Sequence, residues 1–192
     1  DLPRFSSGAE EFDRVLGGGL VPGSGILIGG NPGAGKSTLL LQTMCHLARS
    51  MDALYVTGEE SLQQVAMRAQ RLQLPTDKLR LMSETNVEAI VAAAQELKPR
   101  VLVVDSIQVV HTDEIASAPG SVSQVRECAA HLIRYAKQTG GPVSTLCFDD
   151  FMGVLGYDGN NTDTTGDSPA ALGNRIAAAI IILLITFGSV IA

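Results

Sequence analysis

Gly30-Asn31-Pro32-Gly33-Ala34-Gly35-Lys36-Ser37 is the stretch whose reading decides the fold. A glycine, four residues, then Gly-Lys and a serine or threonine is the spacing of a phosphate-binding loop. The flanks suit it. Gly25-Ile26-Leu27-Ile28 ahead of it reads as a buried strand, and Thr38-Leu39-Leu40-Leu41 behind it as the start of a helix. Glycines at 30, 33 and 35 let the backbone curl without side-chain clashes. The N–H groups of such a curl, with the helix N-terminus, form a cradle for anions. In that setting Gly30, Asn31, Pro32, Gly33, Ala34, Gly35, Lys36, Ser37 and Thr38 are the candidate nucleotide contacts. Lys36 would reach the β- and γ-phosphates of ATP, and the Ser37 hydroxyl would sit on Mg2+. A glycine-rich turn that contains Gly-Lys-Ser by chance is the alternative, and the strand and helix on either side weigh against it.

The chain has 192 residues, enough for one domain with a full core. Hydrophobic residues make up 45% and charged residues 18%, a folding composition. The net charge of −6 argues against a surface that grips DNA by charge alone, though it leaves room for a local basic groove. Cys45, Cys128 and Cys147 form no CxxC pair, which fits a reducing cytoplasm and offers no zinc site. Each lies in an apolar stretch, the setting of a buried small hydrophobe. No signal peptide and no internal repeat are visible.

Working outward from the loop, Ser7 and Glu10 have the spacing of a capping box for a first helix. Gly17-Gly18-Gly19 ends that helix, and Pro22-Gly23 turns the chain toward the loop strand. The helix after the loop extends to about Arg49 and is apolar on most sides. Leu54-Tyr55-Val56-Thr57 reads as a second strand ending at Gly58-Glu59-Glu60. Ser61 with Gln64, Thr85 with Glu88, and Ser121 with Gln124 mark three more helix starts. Residues 79–82 form a short third strand. Val101-Leu102-Val103-Val104-Asp105 is the clearest strand, four apolar residues and then an acid, and 143–148 offers a fifth. Alternating strands and helices mean an α/β fold with a mostly parallel central sheet flanked by helices. Ligands of such sheets bind beyond the carboxyl ends of the strands, which is where Gly30, Glu59 and Asp105 fall.

Two acids on that rim are therefore candidates. Asp105 has the place of a Mg2+-associated acid, holding the metal through a bound water; an ordinary strand-end Asp starting a turn is the alternative. Glu59 is the candidate general base, with Glu60 its competitor; an acid favouring the following helix N-terminus is the alternative reading. His46 and His131 lie on helices and His111 in a loop, with packing or solvation the expected roles. Arg68, Arg71, Lys78 and Arg80 make either a small nucleic-acid patch or, as the spacing favours, a solvated helix face.

The segments LPRFSSGAEEFDRVLGGGLVPGS, LIGGNPGAGKSTLL, LYVTGEESLQQVAMRAQRL, VDSIQV and PGSVSQVRE occur in the order seen in the bacterial RadA (Sms) family, and residues 2–140 resemble it. The resemblance implies a RecA-like P-loop NTPase, an ATP hydrolase stimulated by DNA. It further implies action on single-stranded or branched DNA in recombinational repair, and a homo-hexamer. Matched by position, the nucleotide loop is 30–37, the metal-associated acid Asp105, and the acid ending the second strand Glu59. Lys36, through its reach to the terminal phosphates, is the other candidate catalytic residue. A KaiC-like nucleotide-dependent switch, also with paired glutamates, is the competing reading. A non-catalytic ATP-binding fragment with a membrane tail is another.

The family's zinc finger, Gly-His sensor segment, Lys-Asn-Arg-Phe-Gly motif and Lon-like domain have no recognisable counterpart in these residues. The division expected is an ATPase core over 1–148, a polar linker or loop over 149–169, and an apolar tail over 170–192. The run IAAAIIILLITFGSVIA, 176–192, is uncharged and at the short end of a membrane span of about 17–25 residues. It reads as a tail anchor, as a buried helix or strand completing the sheet, or as foreign sequence, with the membrane reading not favoured. It carries no His, Lys or Arg to meet a γ-phosphate, so ATP binding with slow turnover is expected of this chain.

Overall fold

The parallel sheet forms because short strands, two of them fully buried apolar runs, lie beside the glycine-rich loop strand with helices on both faces. In the computed structural model, which describes residues 3–30, 33–139, 143–149 and 180–184, the strands are β1 (Gly25–Gly30), β2 (Ala53–Thr57), β3 (Arg80–Ser83), β4 (Val101–Asp105), β5 (Val143–Asp149) and β6 (Ile180–Leu184). The helices are α1 (Glu10–Val15), α2 (Lys36–Leu47), α3 (Leu62–Arg71), α4 (Val87–Leu97) and α5 (Val122–Thr139). The strand order is β3-β2-β4-β5-β1-β6, and every pairing between them is parallel. β5 thus lies between the loop strand and the Asp105 strand. The expectation of a mostly parallel sheet flanked by helices holds.

The two-residue period of the strands sorts the core into two layers. Ala53, Tyr55, Val101 and Val103 face one side, with Phe12, Leu16, Leu40, Leu41, Met44, Val65 and Ala69 packed over them. Leu54, Val56, Leu102 and Val104 face the other, under Val87, Ile90, Ala94, Cys128, Leu132 and Tyr135. Thus α1, α2 and α3 cover one face and α4 and α5 the other. The strands β2 and β4 are buried along their whole length, as near-continuous apolar runs in a parallel sheet must be. Cys45 and Cys128 are buried, and burial pushes their thiols up to about 11 and about 12, so both pack as small hydrophobes.

Of the helix starts, Ser61–Gln64 forms the full reciprocal box. The three others differ from expectation. The N-cap of α1 is Ala9, with no side-chain cap; Ser6 and Ser7 instead bind the Asp13 carboxylate, at 2.5 Å from the Ser6 hydroxyl and 2.8 Å from the Ser7 N–H. The N-cap of α4 is Asn86, whose side chain accepts from Ala89 N–H at 2.8 Å, while Glu88 takes the Thr112 hydroxyl. At α5, Ser121 accepts from Gln124 N–H at 3.4 Å, but the Gln124 amide turns away to the backbone of Thr112, Ile115 and Ser117.

Of the C-terminal stretch, β6 pairs with β1 in parallel register, Gly25 opposite Ile180 and Gly29 opposite Leu184. Residues 180–184 of that run thus form an edge strand of the sheet. The linker expected over 149–169 and the rest of the tail fall outside the described residues, apart from Asp149 at the end of β5. Among the described residues no helix is long and apolar enough to cross a membrane.

Candidate nucleotide site

The carboxyl ends of β1, β2 and β4 gather the residues that the sequence singles out. At β1 the chain runs from Gly30 into the loop. Asn31 and Pro32 lie outside the described residues. Gly33 and Gly35 have φ of +79° and +87°, in the region that only glycine occupies without strain. A Cβ at either would meet nothing within 4 Å, so the backbone angle and not crowding demands glycine there. Gly35 is the N-cap of α2, and no side chain caps that end, in contrast to α3 and α4. No acid lies in its first turn. An α-helix leaves its first N–H groups without intrahelical partners, and an end with no side-chain cap or acid is suited to an anion. Lys36 is the first helical residue and is 9% exposed; Ser37 and Thr38 follow, half-buried.

Asp105 closes β4 and pairs in register with Thr57 at the end of β2. By the alternation of the strand it shares the face of Val101 and Val103, the α2 side of the sheet. It is 8% exposed, and its Oδ2 accepts from the buried Tyr55 hydroxyl at 2.5 Å.

The turn after β2 is held from both sides. Gly58 N–H donates to the Asp105 carbonyl at 2.9 Å. The Thr57 hydroxyl donates to the Glu60 carbonyl at 2.8 Å and accepts from Glu60 N–H at 3.0 Å. This hook separates two adjacent carboxylates. Glu59 points to the segment after β4, where its Oε1 accepts from the Ser106 hydroxyl and, at 3.0 Å, from Gln108 Nε2. Glu60 points to α3 and pairs with Arg68 at 2.7 Å. A Cβ at Gly58 would stand 2.4 Å from Val109 Cγ2, so a larger residue there forces the turn or Val109 to shift.

These contacts correct one expectation. Arg68 is not on a solvated face: its side chain is 11% exposed and reaches both Glu60 and Tyr55. Arg80 does sit at the surface, paired with Asp52 at 3.5 Å. Tyr55, Ser106 and Gln108 are partners of the rim acids that the sequence did not single out. Their only trace in it is their place, Tyr55 inside β2 and the other two directly after Asp105.

The histidines lie apart from this rim. His46 is exposed on α2, and His111 ties its backbone to Thr85 and Val87. His131 faces Glu114 at 3.2 Å and Glu127 at 3.8 Å, bracing the loop before α5.

Comparison with known proteins supplies the family. The AAA domain family matches residues 6–179. The chain belongs to that family. It is also 71% identical over 137 residues to the DNA repair protein RadA of Haemophilus influenzae, an alignment covering 71% of this chain and 30% of that protein. Identity to RadA of Escherichia coli is 68% over 140 residues, covering 73% and 30%. To RadA of Bacillus subtilis it is 54% over 142 residues, covering 73% and 31%. The chain thus spans about 30% of the length of these curated relatives. The resemblance to RadA holds, and an α/β RecA-like P-loop NTPase fold is the architecture this AAA domain adopts.

Proposed function

We propose that the chain is the ATP-binding and ATP-hydrolysing core of a RadA-type DNA repair protein, acting on single-stranded or branched DNA as part of a homo-hexamer. The observation that carries the reading is the juxtaposition on one sheet edge of an α2 N-terminus lacking any side-chain cap, reached through left-handed glycines, with Asp105 and Glu59. A helix end of that kind is an anion site, and carboxylates beside an anion site are where a hydrated cation is held. The identity to RadA proteins supports the DNA-repair setting.

In this reading the loop 30–38 wraps the phosphates and Lys36 meets the terminal ones. The donor set fits Mg2+, with hard oxygens from Ser37 and from Asp105 through water. Bound there, the ion supplies charge neutralisation at the β- and γ-phosphate oxygens. Glu59 is the general base for the attacking water, oriented by Ser106 and Gln108, which bind one carboxylate oxygen.

The test is ATP binding by the chain and its Lys36→Ala variant, followed by ATP turnover with and without single-stranded DNA. Lys36→Ala is expected to weaken ATP binding and abolish turnover with an unchanged circular dichroism spectrum. Equal affinity and turnover in the two proteins overturn the site. ATP binding without any DNA effect on turnover leaves the nucleotide site standing and removes the DNA-repair role proposed for this chain.

A further inference from the structure

A chain of polar contacts runs from α3 into the core and ends on Asp105. Arg68 Nη2 donates to Glu60 Oε2 at 2.7 Å and to the Tyr55 hydroxyl at 3.4 Å. The Tyr55 hydroxyl in turn donates to Asp105 Oδ2 at 2.5 Å. Tyr55 is fully buried, and the Arg68 side chain is 11% exposed. Enclosing this guanidinium is unfavourable by itself. Its Nε is buried without a hydrogen-bond partner, and a buried ion pair repays its desolvation poorly. Stability alone is therefore a weak reason for an arginine at this position.

What the contacts do accomplish is orientation. The Tyr55 hydroxyl occupies Oδ2, so Oδ1 is the oxygen of Asp105 left to meet a metal-bound water. A carboxylate held by one oxygen cannot rotate freely about its χ2 axis. Arg68 fixes the acceptor side of that hydroxyl and so directs its proton to Asp105. The same guanidinium draws Glu60 toward α3 and leaves Glu59 as the acid facing the segment after β4.

We infer that Arg68 and Tyr55 are positioning residues for the metal-dependent step of nucleotide binding, Arg68 acting on Asp105 through Tyr55. The inference rests on the proposed reading of Asp105 as the metal-associated acid.

The experiment is a titration of the 192-residue chain with a fluorescent ATP analogue at a series of Mg2+ concentrations. It gives two numbers, the nucleotide affinity without Mg2+ and the Mg2+ concentration at half-maximal enhancement of that affinity. Tyr55→Phe keeps the buried ring and removes only the hydroxyl. It is expected to raise the half-maximal Mg2+ concentration about three- to tenfold, the net effect of one ordinary hydrogen bond, and to leave the metal-free affinity unchanged. Arg68→Gln is expected to move it in the same direction by less. Arg68→Lys keeps a charge for Glu60 but lacks the planar fork that also reaches Tyr55, and is expected to behave like Arg68→Gln in this readout.

The double variant Tyr55→Phe/Arg68→Gln should be no worse than Tyr55→Phe alone. Unchanged Mg2+ dependence in Tyr55→Phe overturns the inference, as does a double variant whose effects add. If the Arg68 variants do not fold, Tyr55→Phe decides alone. Nucleotide affinity independent of Mg2+ in the wild-type chain is a different failure: it removes the reading of Asp105, and the inference falls with it.

Discussion

Gly58→Ala tests how closely the turn carrying Glu59 must approach the segment after β4. The added Cβ would stand 2.4 Å from Val109 Cγ2, 1.0 Å inside the 3.4 Å at which ordinary contact begins. Its next neighbours, Thr85 Cγ2 at 3.5 Å and the Glu84 carbonyl at 3.7 Å, tolerate it. The whole strain thus falls on one methyl group of a β-branched side chain, which is stiff about χ1. Overpacking of this kind costs about 1–3 kcal/mol. In a chain of this size each kcal/mol lowers Tm by about 2–4 °C. If the clash is relieved by a shift of the turn away from Val109, the 3.0 Å hydrogen bond between the neighbouring residues Glu59 and Gln108 is expected to lengthen. Misplacement of a catalytic group by about 1 Å can cost about 100-fold in rate. Gly58→Ala is therefore expected to lower both Tm and the single-turnover rate of ATP hydrolysis. The companion is Val109→Ala, which removes the offending atom. In the double variant at least about 1 kcal/mol of the Gly58→Ala loss should return, measured as a coupling energy in thermal or urea unfolding. Losses that add within about 0.5 kcal/mol, or a Gly58→Ala protein as stable as wild type, refute the steric reasoning.

Three other perturbations have defined outcomes. Glu59→Gln should retain ATP and Mg2+ binding and block hydrolysis, while Glu60→Gln should reduce turnover less; the reverse order in single-turnover assays would exchange their roles. Asp13 feels burial, which pushes its carboxyl up, and the Ser6 and Ser7 hydrogen bonds and His46, which together hold it below its ordinary value of 3.8. A lowered value in the folded state means stability that is present above pH 3.8 and lost as the pH falls through the folded value. Asp13→Ala should accordingly cost about 1–2 kcal/mol at pH 7, and the difference from wild type should shrink below pH 3.8 in urea denaturation. Removing 180–192 takes away the β6 partner of β1 and leaves the loop strand as a sheet edge. Lower stability and weaker ATP binding are expected, and a truncated chain with unchanged Tm and affinity would show that β6 contributes neither.

The strands and helices were legible because their signals are local. Val101–Asp105 is an unbroken apolar run ended by an acid, and the loop at 30–37 has a spacing with a backbone reason for glycine at 33 and 35. The capping pattern was less decisive, since Thr85 and Asn86 are both eligible caps and the pattern does not choose between them. Glu88 went to Thr112, a partner 24 residues away that no local spacing reveals. The same limit hid Tyr55, whose hydroxyl meets an acid 50 positions later, and misplaced Arg68. A helix-face pattern shows that Arg68 and Arg71 are one turn apart. It does not show that a tyrosine on the neighbouring strand presents a polar tip beneath one of them. The apolar run at 176–192 has no period at all, so the sequence left anchor, buried element and foreign sequence open; the described part, 180–184, pairs with β1.

The division of labour between Glu59 and Glu60 shows most directly what packing adds to pattern. In the sequence the two are neighbours of one type after one strand; Glu59 is the candidate base there by its place at the strand end, with Glu60 its competitor. In the fold the Thr57 hook fixes the backbone of the turn, so adjacent side chains must leave it in different directions. One direction meets a guanidinium and the other meets a hydroxyl and an amide. A general base must first be within reach of the proton it takes, and basicity matters only after that. Glu60, engaged with Arg68 beside α3, is turned from the segment that follows Asp105. Glu59 is turned to it, with neutral donors on one oxygen only. The proposal of Glu59 as the base therefore rests on where Thr57 and Arg68 send each carboxylate, and substitution of Arg68 is the change that should let Glu60 compete for the role.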